Sequence, residues 1–258
     1  MKKALCAACV AAATITAAPV HAELIDALQV DTDDTGELGK VAMDLHVTTT
    51  PRGRTEPQFP TEVVPNQGWR FTPEFSLGVA DGVEVGLALP FNRDASGSAS
   101  LAGVKTHVKW MPHRPAEGES GFFLGGQLEL SRLKACFEQS PASAELRIIS
   151  GWRGTDWRAA VNPAFAWDLS GALRSKTPRL GVDAKVSHAL GERASLGLEL
   201  YTDLGTTRRI LRGGQQSDSA FVVVDVSVHG WDIDAGIGRG ITSSADALTI
   251  KFNIGIPY

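Results

Sequence analysis

Residues 248–258 read Leu-Thr-Ile-Lys-Phe-Asn-Ile-Gly-Ile-Pro-Tyr and close the chain. Leu248, Ile250, Phe252, Ile254, Ile256 and Tyr258 are apolar at every second position, with Thr249, Lys251, Asn253, Gly255 and Pro257 between them. Successive side chains of a β-strand point to opposite faces, so this segment has one wholly apolar face and one polar or small face. Its length also suits a tilted strand crossing a bilayer. The alternation predicts a membrane-spanning strand that ends on an aromatic ring.

The same period-two pattern recurs upstream. In 38–48, Val41, Met43, Leu45 and Val47 oppose Lys40, Asp44 and His46. Trp69, Phe71, Phe75, Leu77 and Val79 oppose Arg70 and Glu74; after Asp81-Gly82, a strong hairpin signal, Val83, Val85, Leu87, Leu89 and Phe91 oppose Glu84. Val104, Val108 and Trp110 oppose Lys105, His107 and Lys109, and Phe122, Leu124, Leu128 and Leu130 oppose Gln127 and Glu129. Leu146, Ile148 and Trp152 oppose Glu145, Arg147 and Arg153; Trp157, Val161, Phe165 and Trp167 oppose Arg158, Asn162 and Asp168. Leu180, Val182 and Val186 oppose Asp183 and Lys185, and Leu196, Leu198 and Leu200 oppose Glu199 and Tyr201. Val222, Val224, Val226 and Val228 oppose Asp225, although Phe221 and Val223 intrude on the polar side. Trp231, Ile233 and Ile237 oppose Asp232, Asp234, Gly236 and Gly238. With the closing segment, the pattern predicts an all-β, antiparallel, up-and-down transmembrane barrel of about twelve strands over 38–258.

Connection lengths and tryptophans agree with it. Tight links near 81–82, 112–119, 154–155, 190–193 and 230 alternate with longer ones near 49–67, 92–99, 132–142, 169–177, 205–218 and 239–246. Short turns on one side and longer loops on the other characterise outer-membrane barrels. Every tryptophan falls on the apolar face at a strand end: Trp110, Trp152, Trp157 and Trp231 join Tyr258 at the periplasmic rim, and Trp69, Trp167 and Phe91 sit at the outer rim. Aromatic rings with a polar handle favour the membrane interface.

Lys2 and Lys3 precede an apolar run that ends in Pro19-Val-His-Ala22, the form of a signal peptide over 1–22 cut before Glu23. Residues 23–37, with Asp31, Asp33, Asp34 and Gly36, then read as a solvated periplasmic segment. Its D-x-D-x-T-G order falls short of a calcium loop, because Ala42 stands where the closing Glu belongs. Losing Lys2 and Lys3 leaves 23 basic residues against 29 acidic ones, which excludes a nucleic-acid partner of the usual basic kind. Only Cys136 remains, so no intrachain disulfide forms.

The inward face carries Arg70, Glu74, Glu84, Lys105, Lys109, Glu129, Glu145, Arg147, Arg158, Asn162, Asp183, Lys185, Glu199, Asp225 and Lys251. Two readings stay open for these lumen-lining groups: a lining that selects among solutes, or a mutually neutralising ion-pair network in a closed wall. Catalysis is not expected. Gly-x-Ser-x-Gly is absent, and Ser187 and His188 lie on opposite faces of one strand. The remaining histidines, His46, His107, His113 and His229, form no sequence cluster suited to a metal. Gly236-Ile-Gly238-Arg-Gly240 lacks the strand–helix context of a phosphate loop. No cofactor is expected.

The chain resembles outer-membrane proteins grouped as the meta-pathway phenol-degradation, or transporter-like, family. The resemblance rests on Ala194-Ser-Leu-Gly-Leu-Glu-Leu-Tyr201, Val161-Asn-Pro163, Gly236-Ile-Gly238-Arg-Gly240-Ile-Thr242 with Asp246, Asp225, and the ending from Ile250 to Tyr258. Members usually end in Phe where this chain has Tyr258. The resemblance implies a barrel in Gram-negative outer-membrane lipid that passes small aromatic or hydrophobic compounds, and the expectation is a monomeric, passive channel for small solutes. The resemblance also implies a C-terminal strand read by the barrel-assembly machinery. The rival expectation is a closed structural or adhesion barrel.

Overall fold

The computed structural model describes residues 27–116 and 118–256, so the signal-peptide cleavage site and Tyr258 lie outside the described residues. Twelve antiparallel strands form a closed ring. They are β1 Val41–Arg52, β2 Trp69–Ala80, β3 Val83–Ala88 resumed as Phe91–Arg93, β4 Ala99–Leu101 resumed as Gly103–His113, β5 Gly121–Leu133 and β6 Ala142–Arg153. Then come β7 Trp157–Asp168, β8 Arg179–Ala189, β9 Ala194–Thr206, β10 Ser217–Val228, β11 Trp231–Gly240 and β12 Leu248–Ile256. Each pairs with its sequence neighbours, and β12 returns to β1 with Leu45 opposite Ile254 and Val47 opposite Phe252. Closure leaves no strand edge unpaired, which a bilayer requires.

Each strand turns its apolar parity outward. Leu128, Trp152, Trp157, Leu198, Val222 and Ile237 are exposed, while Arg70, Lys109, Asn162, Glu199 and Lys251 on the other parity are buried. An apolar belt around the whole wall, with charge inside, is the reverse of a soluble barrel and is solvated by lipid. At the turn end, Trp110 is opposite Val83 beside the Asp81–Gly82 turn, Trp152 and Trp157 flank 154–156, and Trp231 follows 229–230. Trp69, Phe91 and Trp167 lie at the loop end. His229 (φ 52°) and Gly230 (φ 82°) both adopt left-handed backbone, the condition for a two-residue turn that matches strand twist.

Two expectations are corrected. The Thr-rich run at 49–52 belongs to β1 rather than to a loop; Thr48 and Thr50 are fully buried on its inner face, and threonine is itself a good strand former. β3 is interrupted at Leu89-Pro90 because Pro90 has no N–H to donate to the ladder; its carbonyl instead accepts from Ala102 N–H at 2.7 Å.

The larger correction concerns the interior. Residues 27–36 are not a free solvated tail, although Ala27, Gln29 and Asp34 stay exposed to the lumen. They lie inside the barrel, where Val30 packs with Met111, Phe123, Ile149, Ala160, Tyr201, Phe221 and Val223, and Leu28 against the same cluster. All seven wall residues point inward, so one sector of the lumen is apolar and seats the N-terminal segment. Glycines let the large rings lie flat: a Cβ on Gly238 would come within 2.4 Å of the Phe221 ring, and one on Gly151 within 2.3 Å of the Phe123 ring. This close approach, rather than phosphate binding, accounts for glycine at 238. Gly238→Ala is expected to displace Phe221 and lower stability by about 1–3 kcal/mol, the usual cost of overpacking, read from urea unfolding of the detergent-solubilised barrel.

Candidate functional site

The lumen holds a cavity of about 950 Å³ bordered by residues from both ends of the barrel, among them Gly154 and Asp156 at the turn end and Arg54 and Asp246 at the loop end. Of the inward residues expected from the sequence, Arg70, Glu74, Glu84, Lys105, Lys109, Glu129, Glu145, Arg147, Arg158, Asp183, Lys185 and Asp225 border this cavity. Asn162, Glu199 and Lys251 are buried behind it within the wall and segment 27–36. The structure gathers most of these groups into three networks.

The first joins the N-terminal segment to β4, β6 and β7. Asp31 takes Lys109 Nζ at 3.0 Å and Arg147 NH1 at 2.9 Å on its two oxygens. Asp33 sits between Arg153 at 2.9 Å and Arg158 at 2.8 Å, and Asp34 meets Arg158 at 3.1 Å. Asn162 Nδ2 donates to the Asp31 carbonyl, and Gly36 N–H donates to Glu84. Arg147 also reaches Glu145 at 2.9 Å. Burial alone would push the Asp31 carboxyl up; Lys109 and Arg147 outweigh it and hold it well below the usual carboxylate range. A depressed value makes this attachment fully present above the free-aspartate value of about 3.9 and weaker only as pH falls below it.

The second network spans β8 to β12. Lys251 Nζ lies 2.6 Å from Glu199 and 3.0 Å from Asp234, and Lys185 Nζ lies 2.7 Å from Asp225, 2.9 Å from Asp234 and 3.2 Å from Glu199. Tyr201 O–H donates to Glu199, and Lys251 donates to the Leu28 carbonyl, which also receives Asn253 Nδ2. The third network sets Glu74 between His46 Nε2 at 3.3 Å and His107 Nδ1 at 3.5 Å, with His107 Nε2 3.5 Å from Glu84. His46 Nδ1 is 2.9 Å from Asn253 Oδ1, so this network ties β1, β2, β3, β4 and β12 together through the two rings. Lys105 meets Glu129 at 3.6 Å.

At the loop end, residues 53–68 fold back over the mouth. Arg54 pairs with Glu62 at 2.8 Å, its N–H donates to Asp246, and Val63 N–H donates to the Cys136 carbonyl. Val63 and Cys136 then pack on Ala102, Leu133 and Phe137. Burial pushes the Asp246 carboxyl up, against the pull of the Arg54 N–H and Arg70.

Strand parity already places His46, His107, Asp234 and Tyr201 on the inward face, where the structure has them. The residues missed as wall ligands are Asp31 and Asp33, because nothing local marks them. Among the described residues, no group of three or more His, Cys, Asp or Glu is arranged to hold a metal ion.

The chain matches no protein-family model and no curated protein. Its fold is similar to solved outer-membrane barrels. It is similar to the KdgM porin with a TM-score of 0.55 and 10% identity over 84% of this chain and 99% of that one. To the COG4313 outer-membrane channel of Pseudomonas putida F1 the TM-score is 0.55 and the identity 12%, over 88% and 99% of the chains. To the NanC porin they are 0.50 and 10%, over 85% and 99%. At this identity the likeness is one of architecture: the chain has the closed twelve-stranded fold of outer-membrane porins.

Proposed function

We propose that this chain is an outer-membrane channel through which small polar solutes pass without energy input. The observation that carries the reading is the cavity of about 950 Å³ reaching residues at both ends of the barrel. A wall that filled the lumen completely would need no such space. The fold shared with proteins named as porins and channels supports the same reading. Carboxylates, guanidinium groups and hydroxyls dominate the lining, which suits polar solutes better than the aromatic ones implied by the family resemblance. The barrel acts as a monomer in outer-membrane lipid, and its closing strand is the segment presented to the assembly machinery.

Segment 27–36 favours a second reading, a closed structural barrel, because it fills the apolar sector of the lumen. Planar-bilayer recording separates the two. The channel reading expects reproducible single-channel steps from protein whose gel mobility still shifts on boiling. Silence from such folded protein would leave the closed barrel.

A further inference from the structure

Segment 27–36 is held to the wall by side chains of the barrel rather than by strand pairing. No residue from 27 to 37 belongs to a strand, and the first bridge to the ladder is Leu38 to Gly78. Beside the apolar seat of Val30 and Leu28, its acidic side chains are held by a row of cations contributed by three strands: Lys109 from β4, Arg147 and Arg153 from β6, and Arg158 from β7. They work in pairs. Lys109 and Arg147 take the two oxygens of Asp31, and Arg153 and Arg158 take the two oxygens of Asp33. Each of these two carboxylates thus takes two charge-assisted contacts, one on each oxygen. In an extended chain, residues two apart project to one side about 6–7 Å from each other. The wall thus presents two carboxylate receptors along the barrel axis, and the chain's own acidic segment occupies both.

The occupant joins the strand ladder at one end, through the Leu38 bridge and the Gly39 N–H donated to the Gly78 carbonyl, and at its other end it is held by Lys251 and Asn253 on the Leu28 carbonyl and by the packing of Val30. Between those two ends its acidic side chains meet their cations beside an open cavity, where ionic strength and competing anions act on them.

We infer that Lys109, Arg147, Arg153 and Arg158 form a binding track for a multi-carboxylate solute, and that Asp31, Asp33 and Asp34 are a tethered occupant of that track. Naming this solute class as cargo rests on the channel reading; the binding track itself does not. A free dicarboxylate has to compete with an occupant whose effective concentration is high because it belongs to the same chain. The full-length wild-type protein therefore binds such a solute weakly, and neutralising the tethered carboxylates uncovers the track.

The test is calorimetry on the detergent-solubilised barrel with adipate, whose two carboxylates span a comparable distance, and with uncharged adipamide as the control. Asp31→Asn/Asp33→Asn/Asp34→Asn is expected to bind adipate at least about tenfold more tightly than wild type. The gain is expected to shrink with added salt, to be absent for adipamide, and to vanish when Arg147→Gln and Arg158→Gln are added. If the triple variant does not fold, Asp33→Asn/Asp34→Asn at the turn end gives the same readout. Adipate affinity unchanged from wild type in a folded variant would overturn the track, as would equal binding of adipamide. Bilayer recording stays a separate matter. A silent barrel that gains adipate binding loses the channel reading and keeps the site, whereas a conducting barrel that gains none does the opposite.

Discussion

Lys251→Ala is expected to lower the stability of the folded barrel by about 3–5 kcal/mol, the range for removing one partner of a buried ion pair. Lys251 has no exposed side-chain surface, and neither does Glu199, 2.6 Å away. The substitution would leave Glu199, Asp225 and Asp234 around Lys185 alone. Asp225 retains a third of its side-chain exposure and can turn to water, so the cost falls on Glu199 and Asp234. The Leu28 carbonyl would also lose one of its two donors, loosening the inner segment. Adding Glu199→Gln should recover much of the loss, because the stranded carboxylate is then gone; a double-mutant cycle measured by urea unfolding in lipid vesicles isolates that coupling. Lys40 provides the contrast. It pairs with Glu37 at 2.5 Å, but both side chains are more than half exposed, and Lys40→Ala should cost under about 1 kcal/mol. If the two lysines cost the same, burial is not what gives the Lys251 network its weight.

The strand plan was readable because lipid on one side and a polar lumen on the other impose strict period-two alternation. Leu196, Leu198 and Leu200 against Glu199 and Tyr201 have only one consistent arrangement in a sheet, and the structure exposes the leucines and buries the other two. The same logic misread the places where the lumen is not wet. Phe123, Ile149, Phe221 and Val223 stand at inward positions where polarity was expected; Phe221 and Val223 are visible in the sequence as breaks in the polar side, whereas the outward Phe122, Leu124 and Ile148 conceal Phe123 and Ile149 in ordinary hydrophobic runs.

The acidic segment escaped for a different reason. Asp31 and its partner Lys109 are 78 residues apart, and Asp33 and Arg158 are 125 apart. Pairing over such separations leaves no local signature, so a short acidic run reads as hydrated. Glycine at 86 shows the limit again: the His107 ring covers it, and a Cβ there would come within 2.2 Å. Only the register of β3 on β4, with Gly86 opposite His107, makes that requirement visible.

Leu198→Arg places a charge on the lipid face toward the bilayer midplane and is expected to cost about 2–4 kcal/mol. Leu198 belongs to an apolar row running across neighbouring strands: Val186 on β8, Leu198 on β9, Val222 on β10, Ile237 on β11 and Ile250 on β12 are register partners in succession. Four of the five are strongly exposed, Leu198 at 59%, and the row lies several residues in from the rim that carries Trp231. Depth makes the prediction specific. Leu190, equally exposed in the 190–193 turn, sits at that rim, and Leu190→Arg should cost only about 0–1 kcal/mol because the guanidinium reaches headgroups and water. Facing provides the second control. Ser219 borders the lumen cavity and lies on the adjacent strand three residues from Val222 of that row, so Ser219→Arg should fall well below the Leu198 cost. Unfolding in vesicles of defined thickness measures all three. An order other than Leu198 first would mean that the apolar parity does not face lipid, and equal costs at 198 and 219 would remove the distinction between wall and lumen on which every assignment of an inward charge depends.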